Sequence, residues 1–341
     1  PEGFLELNQD NLDDTQSKLT AWAWIKNRDA TDNHMLFDRI RGVGNDLHSN
    51  ATAVQTFNAN TVQRFLQRGV QVGSDVEVNT VNESYVLWQW LLGDSATTGT
   101  AISADNPPTI ASTNLVADSG AFGMCTYTGN ATAGATVQHS LGGVPDMIMF
   151  KRFGATTANW VVYFKELGAG NSDYLMLDLA LAEGGAGAIN WLNSTAATST
   201  LVTLGNDGNT NASDTYIMYL FRNVPGVCKV GSYIGNGNNN GPYVSVGFSP
   251  RYILVRSTSA TRNWNTLDTA RNPINIASPS VLLPNSTAVD TAGQVGAFDI
   301  LADGFKPRDT ASNTNGSGEK YMYLAMADIG GNGTLPPIYG K

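Results

Sequence analysis

The chain has 341 residues, of which 42% are hydrophobic and 14% charged, so it carries enough apolar side chains for several cores and is not a disordered polar segment. Its net charge is −9 and its Lys and Arg residues form no basic cluster, which excludes a nucleic-acid-binding role of the usual electrostatic kind. No apolar run is long enough for a membrane-spanning helix, so no membrane insertion is expected, and Cys125 and Cys228 are too few for a disulfide scaffold and are expected to be free thiols.

Runs of β-branched and aromatic residues between turn residues predict nine strands. In chain order these cover 22–26, 85–91, 123–128, 146–151, 160–164, 215–221, 228–234, 251–256 and 320–326. Several of the runs are continuously apolar, which predicts strands that are buried on both faces. One helix is predicted at 58–68, because Val62, Phe65 and Leu66 are spaced for one helical face.

An internal repeat is the strongest signal in the sequence. Three apolar runs each end in a basic residue, and an Ala-Thr pair begins four positions later; the basic residues are Lys26, Lys151 and Arg256. Lys151 and Arg256 are 105 residues apart, and so are the tyrosines of two matching closing strands, Tyr216 and Tyr321. A constant offset over about 100 residues, the size of a folding domain, predicts duplication of a domain.

The repeat predicts an all-β protein made of three tandem copies of an antiparallel β-sandwich-like domain. The predicted organisation is repeat domain 1 at 1–93, a linker at 94–118, repeat domain 2 at 119–225, repeat domain 3 at 226–328 and a C-terminal tail at 329–341. The second and third copies begin with Tyr127-Thr-Gly-Asn130 and Tyr233-Ile-Gly-Asn236. The first copy lacks this element, so its first strand is expected to be atypical or missing.

Catalytic and metal-binding motifs are absent from the sequence, and we predict no catalytic residue, no metal site and no cofactor. His34 occupies the position of Trp160 and Trp264 in the other copies, which favours a packing role. The Asp207-Gly-Asn-Thr-Asn211 stretch starts like a calcium loop but lacks the later Gly and Glu, which favours a polar turn.

Candidate ligand-binding residues are one tryptophan and one amide-rich loop. Trp191 lies among small residues, and its ring could equally pack in a core or stack against a sugar. The loop residues Asn236, Asn238, Asn240 and Tyr243 could bind hydroxyl groups, although a plain hairpin turn is the alternative.

Three stretches of this sequence resemble the repeated domain of tail fibre-like proteins from marine bacteriophages, including cyanophages. They are Ala23-Trp-Ile-Lys-Asn-Arg-Asp-Ala-Thr-Asp-Asn33, Gly73-Ser-Asp-Val-Glu-Val-Asn-Thr80 with Ser84-Tyr-Val-Leu-Trp-Gln-Trp90, and Val224-Pro-Gly-Val-Cys-Lys-Val-Gly-Ser-Tyr-Ile-Gly-Asn-Gly237. The resemblance covers residue 20 to the end of the chain and implies a structural role in a virion, with no catalytic residues to transfer.

The leading hypothesis is therefore a non-enzymatic tail fibre or spike subunit that recognises host surface polysaccharide. We expect a homotrimer of parallel chains, contacts with other tail or capsid proteins, and location in the virion after assembly in the bacterial host cytoplasm. A capsid fibre or decoration protein with a purely architectural role is the alternative, and a glycan depolymerase is a third possibility.

Overall fold

The structure, a computed structural model, describes residues 5–8, 19–67, 69–92, 97–99, 107–170, 173–185, 187, 189–272, 280–292 and 298–327. These residues form 26 β-strands, most of them paired antiparallel in several sheets, and no helix. None of the described segments is a helix that is long and apolar enough to cross a membrane. The prediction of an all-β protein is confirmed.

Residues 5–92, the first segment, contain two sheets. Their eight strands are β1 (Leu5–Asn8), β2 (Leu19–Asn27), β3 (Met35–Asp38), β4 (Asn45–His48), β5 (Thr56–Phe57), β6 (Val62–Leu66), β7 (Gly69–Val72) and β8 (Tyr85–Leu92). The larger sheet has the order β5-β4-β3-β2-β8, and the smaller one has the order β1-β7-β6.

The helix predicted at 58–68 is wrong, because β6 occupies this stretch. Its partner is β7, and the register of the pair shifts between Val62 and Arg64 as in a β-bulge. In a regular strand, residues three apart face opposite sides, whereas one extra residue at a bulge returns them to the same side. Val62 and Phe65 therefore both pack in the core of the first segment, and their spacing imitates that of a helix.

Residues 97–221, the second segment, contain a seven-stranded and a two-stranded sheet. The strands are β9 (Thr97–Gly99), β10 (Ser112–Val116), β11 (Phe122–Thr128), β12 (Ala135–Gln138), β13 (Met147–Arg152), β14 (Val161–Phe164), β15 (Leu175–Met176), β16 (Leu201–Leu204) and β17 (Thr215–Phe221). The larger sheet has the order β15-β14-β13-β17-β11-β10-β9, and β12 pairs with β16.

The predicted linker at 94–118 needs correction. It contains β9 and β10, and β10 pairs with β11 from Ser112 opposite Tyr127 to Val116 opposite Gly123. Residues 112–116 therefore extend the sheet of the second segment. The physical reason is that Thr and Val favour strands whenever an edge is free to pair, even in a Ser- and Thr-rich stretch.

Residues 228–327, the third segment, contain three sheets. The strands are β18 (Cys228–Ile234), β19 (Val244–Ser245), β20 (Pro250–Ser257), β21 (Asn265–Asp268), β22 (Ser280–Val281), β23 (Thr291–Ala292), β24 (Phe298–Leu301), β25 (Gly304–Pro307) and β26 (Lys320–Ala327). The sheet orders are β18-β26-β20-β21, β19-β25-β24 and β22-β23. The tail predicted at 329–341 lies outside the described residues.

The large sheets bury both faces, which explains the continuously apolar runs. In β2, Trp22 and Trp24 face an apolar core to which all three segments contribute, which we call the shared core. The alternate residues Ala23 and Ile25 face a separate core under the small sheet β1-β7-β6. The strands β13 and β20 divide their residues in the same way between the shared core and a core of their own segment. The arrangement is sandwich-like, as predicted.

Polar contacts across the shared core join the segments. The indole of Trp88 donates to the Asp268 carboxylate at 3.0 Å, and the hydroxyl of Tyr219 donates to the Asp38 carboxylate at 2.8 Å. The Trp160 and Trp264 indoles donate to backbone carbonyls of the preceding segment, those of His48 at 2.9 Å and Met176 at 2.7 Å.

His34 packs in the core, as predicted, and the two cysteines lie on strands as free thiols, as expected. His34 is fully buried, accepts a 2.9 Å hydrogen bond from the Trp24 indole, and stacks on Trp88. Cys125 and Cys228 are buried free thiols, and burial raises the pKa of Cys125 to about 12, so this thiol stays protonated and unreactive at neutral pH.

Candidate functional site

The loop at 236–243 carries four of the predicted ligand-binding residues on one exposed surface. Asn236, Asn238 and Asn240 alternate with single intervening residues. The side chains of the first two accept hydrogen bonds from the loop backbone. Asn236 Oδ1 accepts the backbone N–H of Asn238 at 3.0 Å, and Asn238 Oδ1 accepts that of Asn240 at 2.8 Å. These bonds are typical Asx turns, so much of the amide capacity is used within the loop.

Tyr243 is the last residue of the loop and is 50% exposed. Its hydroxyl donates to the Asp303 carboxylate, which fixes the ring at the surface. A half-exposed aromatic ring beside amide groups can bind a sugar ring, so the loop remains a candidate surface.

Trp191 does not belong to that surface, which corrects the expectation that its ring could reach a ligand. The side chain is fully buried in the core of the second segment. Its indole donates to the Gly170 carbonyl at 3.1 Å, and the ring packs against Phe150, Tyr163 and Tyr174. The ring contacts come from residues far along the chain, which is why composition alone left both outcomes open.

A cleft of 460 Å³ lies where the first and second segments meet. The first segment contributes Ile40, Arg41 and Gln55, and the second contributes parts of β10, β11 and β17 together with Phe153. The backbone N–H of Gln55 donates to the Phe153 carbonyl at 3.1 Å, which ties the two walls together. We refer to this feature as the junction cleft.

A buried ion pair supports the base of the junction cleft. The Arg41 guanidinium contacts the Asp38 carboxylate at 2.6 Å, and the two side chains are 1% and 0% exposed. Arg41 also donates to the Gln55 side-chain oxygen at 3.1 Å, and Gln55 donates to Asn45 Oδ1 at 2.9 Å. The Gln55 amide is therefore held in one orientation, which lowers the entropy cost of binding a ligand through it.

Hydroxyl groups line the other wall. β11 passes from the shared core into the cleft, so the face that buries Met124 continues as Thr126 and Thr128. The cross-strand neighbours Thr113, opposite Thr126, and Thr215, opposite Thr128, add two more hydroxyls. Threonine hydroxyls both donate and accept, and with Phe153 they form a surface suited to a polyhydroxylated ligand.

Sequence reasoning missed the junction cleft because its walls come from distant parts of the chain. Gln55 and Thr126 are 71 positions apart, and neither lies in a motif. The one signal available was in β11, where one face of the strand changes from apolar residues, Phe122 and Met124, to Thr126 and Thr128. Only the packing of the two segments shows that this strand end is open and faces Gln55.

A buried carboxylate, Asp178, lies in the second segment away from the residues that line the cleft. It accepts the Trp160 backbone N–H at 3.0 Å, just as Asn50 accepts that of His34 and Asn285 accepts that of Trp264, both at 2.9 Å. Burial, opposed by that N–H and by the Lys151 charge, raises the pKa of Asp178 to about 6.

The contribution of Asp178 to the free energy of unfolding should therefore fall as the pH rises from about 4 to about 6, whereas buried His139, whose pKa is lowered to about 4, contributes in the opposite direction. A carboxyl whose folded-state pKa is raised favours the folded state while protonated and loses that contribution as it ionises. The loss is about 3 kcal/mol, since one pKa unit corresponds to about 1.4 kcal/mol. Denaturant unfolding of Asp178→Asn at several pH values should show greater stability than the unsubstituted protein at pH 7.5, and the difference between the two proteins should shrink as the pH falls toward 4.

The matched control is Asn285→Asp, which places a carboxyl where the Trp264 backbone N–H donates in the third segment. This variant should acquire the pH dependence that Asp178→Asn loses. Parallel pH profiles for Asp178→Asn and the unsubstituted protein would contradict the assignment.

The fold and the cleft together define an all-β, sandwich-like protein with a shared apolar core and a hydroxyl-lined cleft between two segments. The chain belongs to the family described as Domain of unknown function (DUF7483), whose model matches residues 15–329. Searches of curated proteins and of solved structures found no significant match.

Proposed function

We propose that this protein is a structural protein of a bacteriophage virion, a tail fibre or spike subunit that binds host surface glycan without catalysis. The observation that carries the binding role is the junction cleft, with its threonine hydroxyls, the fixed Gln55 amide and the Phe153 ring. The virion role and its location there follow from the sequence resemblance to tail fibre-like proteins.

The proposal includes the three-copy organisation, and the tyrosines of the closing strands support it. The hydroxyls of Tyr85, Tyr216 and Tyr321 donate to the carbonyls of Val76 at 2.7 Å, Gly208 at 2.8 Å and Ser312 at 2.7 Å. Each hydroxyl also accepts a backbone N–H four or five positions earlier, from Thr80, Ala212 and Gly316, at 2.7 to 2.8 Å.

Three buried or half-buried asparagines give a second matched set. The side-chain amides of Asn79, Asn211 and Asn315 donate to the carbonyl six positions earlier, at 2.8, 2.7 and 2.7 Å. The residues that accept are Gly73, Gly205 and Asp309. Matching hydrogen bonds at matching positions favour descent from one duplicated domain over independent origin.

Removing the cleft hydroxyls should weaken binding to host polysaccharide. We expect the double variant Thr126→Val, Thr128→Val to bind roughly 5- to 150-fold more weakly, because each of the two lost hydrogen bonds contributes about 0.5–1.5 kcal/mol. Purified surface polysaccharides of candidate host bacteria, titrated by biolayer interferometry, provide the measurement. A Tyr243→Ala variant in the same assay tests the loop at 236–243 separately.

Thr156→Val, Thr157→Val is the matched control, since both residues are exposed and lie outside the cleft lining. It should bind as the unsubstituted protein does. Equal binding by the cleft variant, or no binding to any of the polysaccharides, would count against the cleft as a glycan site.

Assembly as a homotrimer of parallel chains also belongs to the proposal, because three chains would present three clefts and gain strength through multivalency. Light scattering should then give three times the chain mass of 36.2 kDa. A stable species of 36.2 kDa at micromolar concentration would show a monomer and contradict the homotrimer.

An architectural capsid fibre or decoration protein is the alternative proposal, and contacts with capsid instead of tail in a virion map would favour it. A glycan depolymerase needs two carboxyl groups that flank the scissile bond. The described residues that line the junction cleft include no Asp or Glu. Release of reducing ends from host polysaccharide would nevertheless establish that activity.

A further inference from the structure

The described residues that line the junction cleft are almost free of charge. They include no Asp, Glu, Lys or His, and Arg41 alone carries a charged side chain at neutral pH. Whether this one cation can meet a ligand decides which glycans the cleft can bind, because an anionic group that leaves water needs a counter-charge.

The guanidinium of Arg41 is already used within the first segment. It pairs with the Asp38 carboxylate at 2.6 Å, and its side chain is 1% exposed. It also donates to the carbonyls of Asn45 and Leu36, both at 3.0 Å, and to the Gln55 side-chain oxygen at 3.1 Å. The charge is thus balanced and covered, and it offers a ligand no ion pair.

A second ion pair balances the charges beside the other wall. Arg152 precedes Phe153 and Asp214 precedes Thr215, and the two charged side chains contact each other at 2.7 Å. The Asp214 carboxylate also accepts the backbone N–H of Ala155 at 3.1 Å. This pair therefore gives the cleft no net charge.

The threonine hydroxyls of the cleft, by contrast, are available to a ligand. Those of Thr113, Thr126, Thr128 and Thr215 make no hydrogen bond to any residue that the structure describes. The neighbouring Ser112 hydroxyl differs, since it donates to the Gln138 carbonyl at 2.8 Å. A threonine hydroxyl can both donate and accept, which matches the hydroxyls of a sugar.

An apolar surface made of Ile40, Ala111 and Phe153 lies in the same cleft. The C–H face of an uncharged sugar ring can pack on these groups while its hydroxyls bond to the threonines. A carboxylate, phosphate or sulfate would lose hydration here without gaining a cation, which costs free energy.

We infer that the junction cleft selects uncharged glycan units and rejects units that carry a carboxylate, phosphate or sulfate group. This inference rests on the proposed function, since it names the class of glycan that the same cleft binds. The net charge of −9 also repels anionic polymers, but salt screens that long-range repulsion, whereas it does not screen the loss of hydration inside the cleft.

The test separates surface polysaccharides of candidate host bacteria into neutral and acidic fractions by anion exchange. Biolayer interferometry then compares both fractions on the full chain and on the Thr126→Val, Thr128→Val variant, at about 50 and about 500 mM NaCl. The neutral fraction should bind at least about tenfold more tightly than the acidic one at both salt concentrations. Its half-saturating concentration should change by less than about twofold with salt, and its binding should weaken in the threonine variant.

The possible outcomes separate this inference from the proposed function. If the acidic fraction binds as tightly as the neutral one and depends on Thr126 and Thr128, the inference is overturned and glycan binding stands. Equal binding of the two fractions at the higher salt alone would also overturn it, because repulsion by the net charge would then be the cause. If neither fraction binds more weakly to the threonine variant, the proposed function fails, and the inference fails with it.

A variant that adds a cation to the cleft tests the physical cause. Thr113→Lys, at an exposed lining position, should strengthen binding of the acidic fraction roughly two- to fivefold at the lower salt, the range of one exposed ion pair. The matched control is Thr157→Lys, which places the same charge outside the cleft lining. No gain with Thr113→Lys, or equal gains in both variants, would show that the missing cation in the cleft does not set the preference.

Discussion

Replacing Trp22 by alanine is expected to lower the free energy of unfolding by about 3–5 kcal/mol, the usual cost of removing a buried aromatic side chain. Trp22 is fully buried in the shared core. Its ring lies 4.0 Å from that of Trp90 and 4.6 Å from that of Tyr219, measured between centroids. The ring thus joins the first segment to the second, and a cavity here weakens both.

Guanidinium unfolding followed by tryptophan fluorescence and by circular dichroism measures this effect. Phe57→Ala is the control, because this ring is 69% exposed and its removal should change stability by less than about 0.5 kcal/mol. If Trp22→Ala unfolds at the same denaturant concentration as the control, the shared core does not stabilise the chain.

Replacing Asp38 by alanine should cost a similar amount, about 3–5 kcal/mol, because it leaves the buried Arg41 guanidinium without its counter-charge. The Tyr219 hydroxyl, which donates to the same carboxylate at 2.8 Å, loses its acceptor as well. Since Arg41 also orients Gln55, the variant should bind polysaccharide more weakly at temperatures where it is still folded.

The double variant Asp38→Ala, Arg41→Met tests the cause. If an uncompensated charge is responsible, removing the guanidinium should recover part of the lost stability. Arg262→Ala is the matched control, because its pair with Glu319 is 30% and 17% exposed and should contribute less than about 1 kcal/mol. A cost for Asp38→Ala no larger than that of this control would contradict the proposed role of the buried pair.

Two of the three segments place a similar buried ion pair next to the shared core. Asp38 with Arg41 and Asp268 with Arg271 are both separated by three positions and both receive an aromatic donor from another segment. In the second segment, the last residue of β14 is Phe164, which is fully buried in the same core. Such differences give each junction its own partners and disfavour exchange of one segment for another.

All nine strands expected from the sequence are present, with ends that differ by at most three residues. Eight of these strands have six to nine residues, and all nine are rich in β-branched and aromatic residues, so their local preference agrees with their burial. The strands that escaped detection, such as β4, β10 and β22, have two to five residues. Their pairing depends on a neighbouring strand and leaves little periodicity in the sequence.

The sequence likewise predicted one part of the candidate site and missed the other. The loop at 236–243 was predictable, because Asn and Gly in succession favour exposed turns. The junction cleft was not, since Gln55, Thr126 and Phe153 become neighbours only when two segments pack. Trp191 shows the converse: a ring that composition could not place is buried by its contacts with Phe150 and Tyr163.

The sequence by itself determined the all-β class, the main strands, the free thiols and the packing role of His34, because each depends on local propensity or on residue type. Only the tertiary structure decided that the segments share one core, that β6 is a bulged strand and not a helix, and that 112–116 belong to a sheet. The physical reason is that hydrogen bonding between strands and burial between sheets join residues far apart in the chain, and no local pattern specifies which edges and faces will meet.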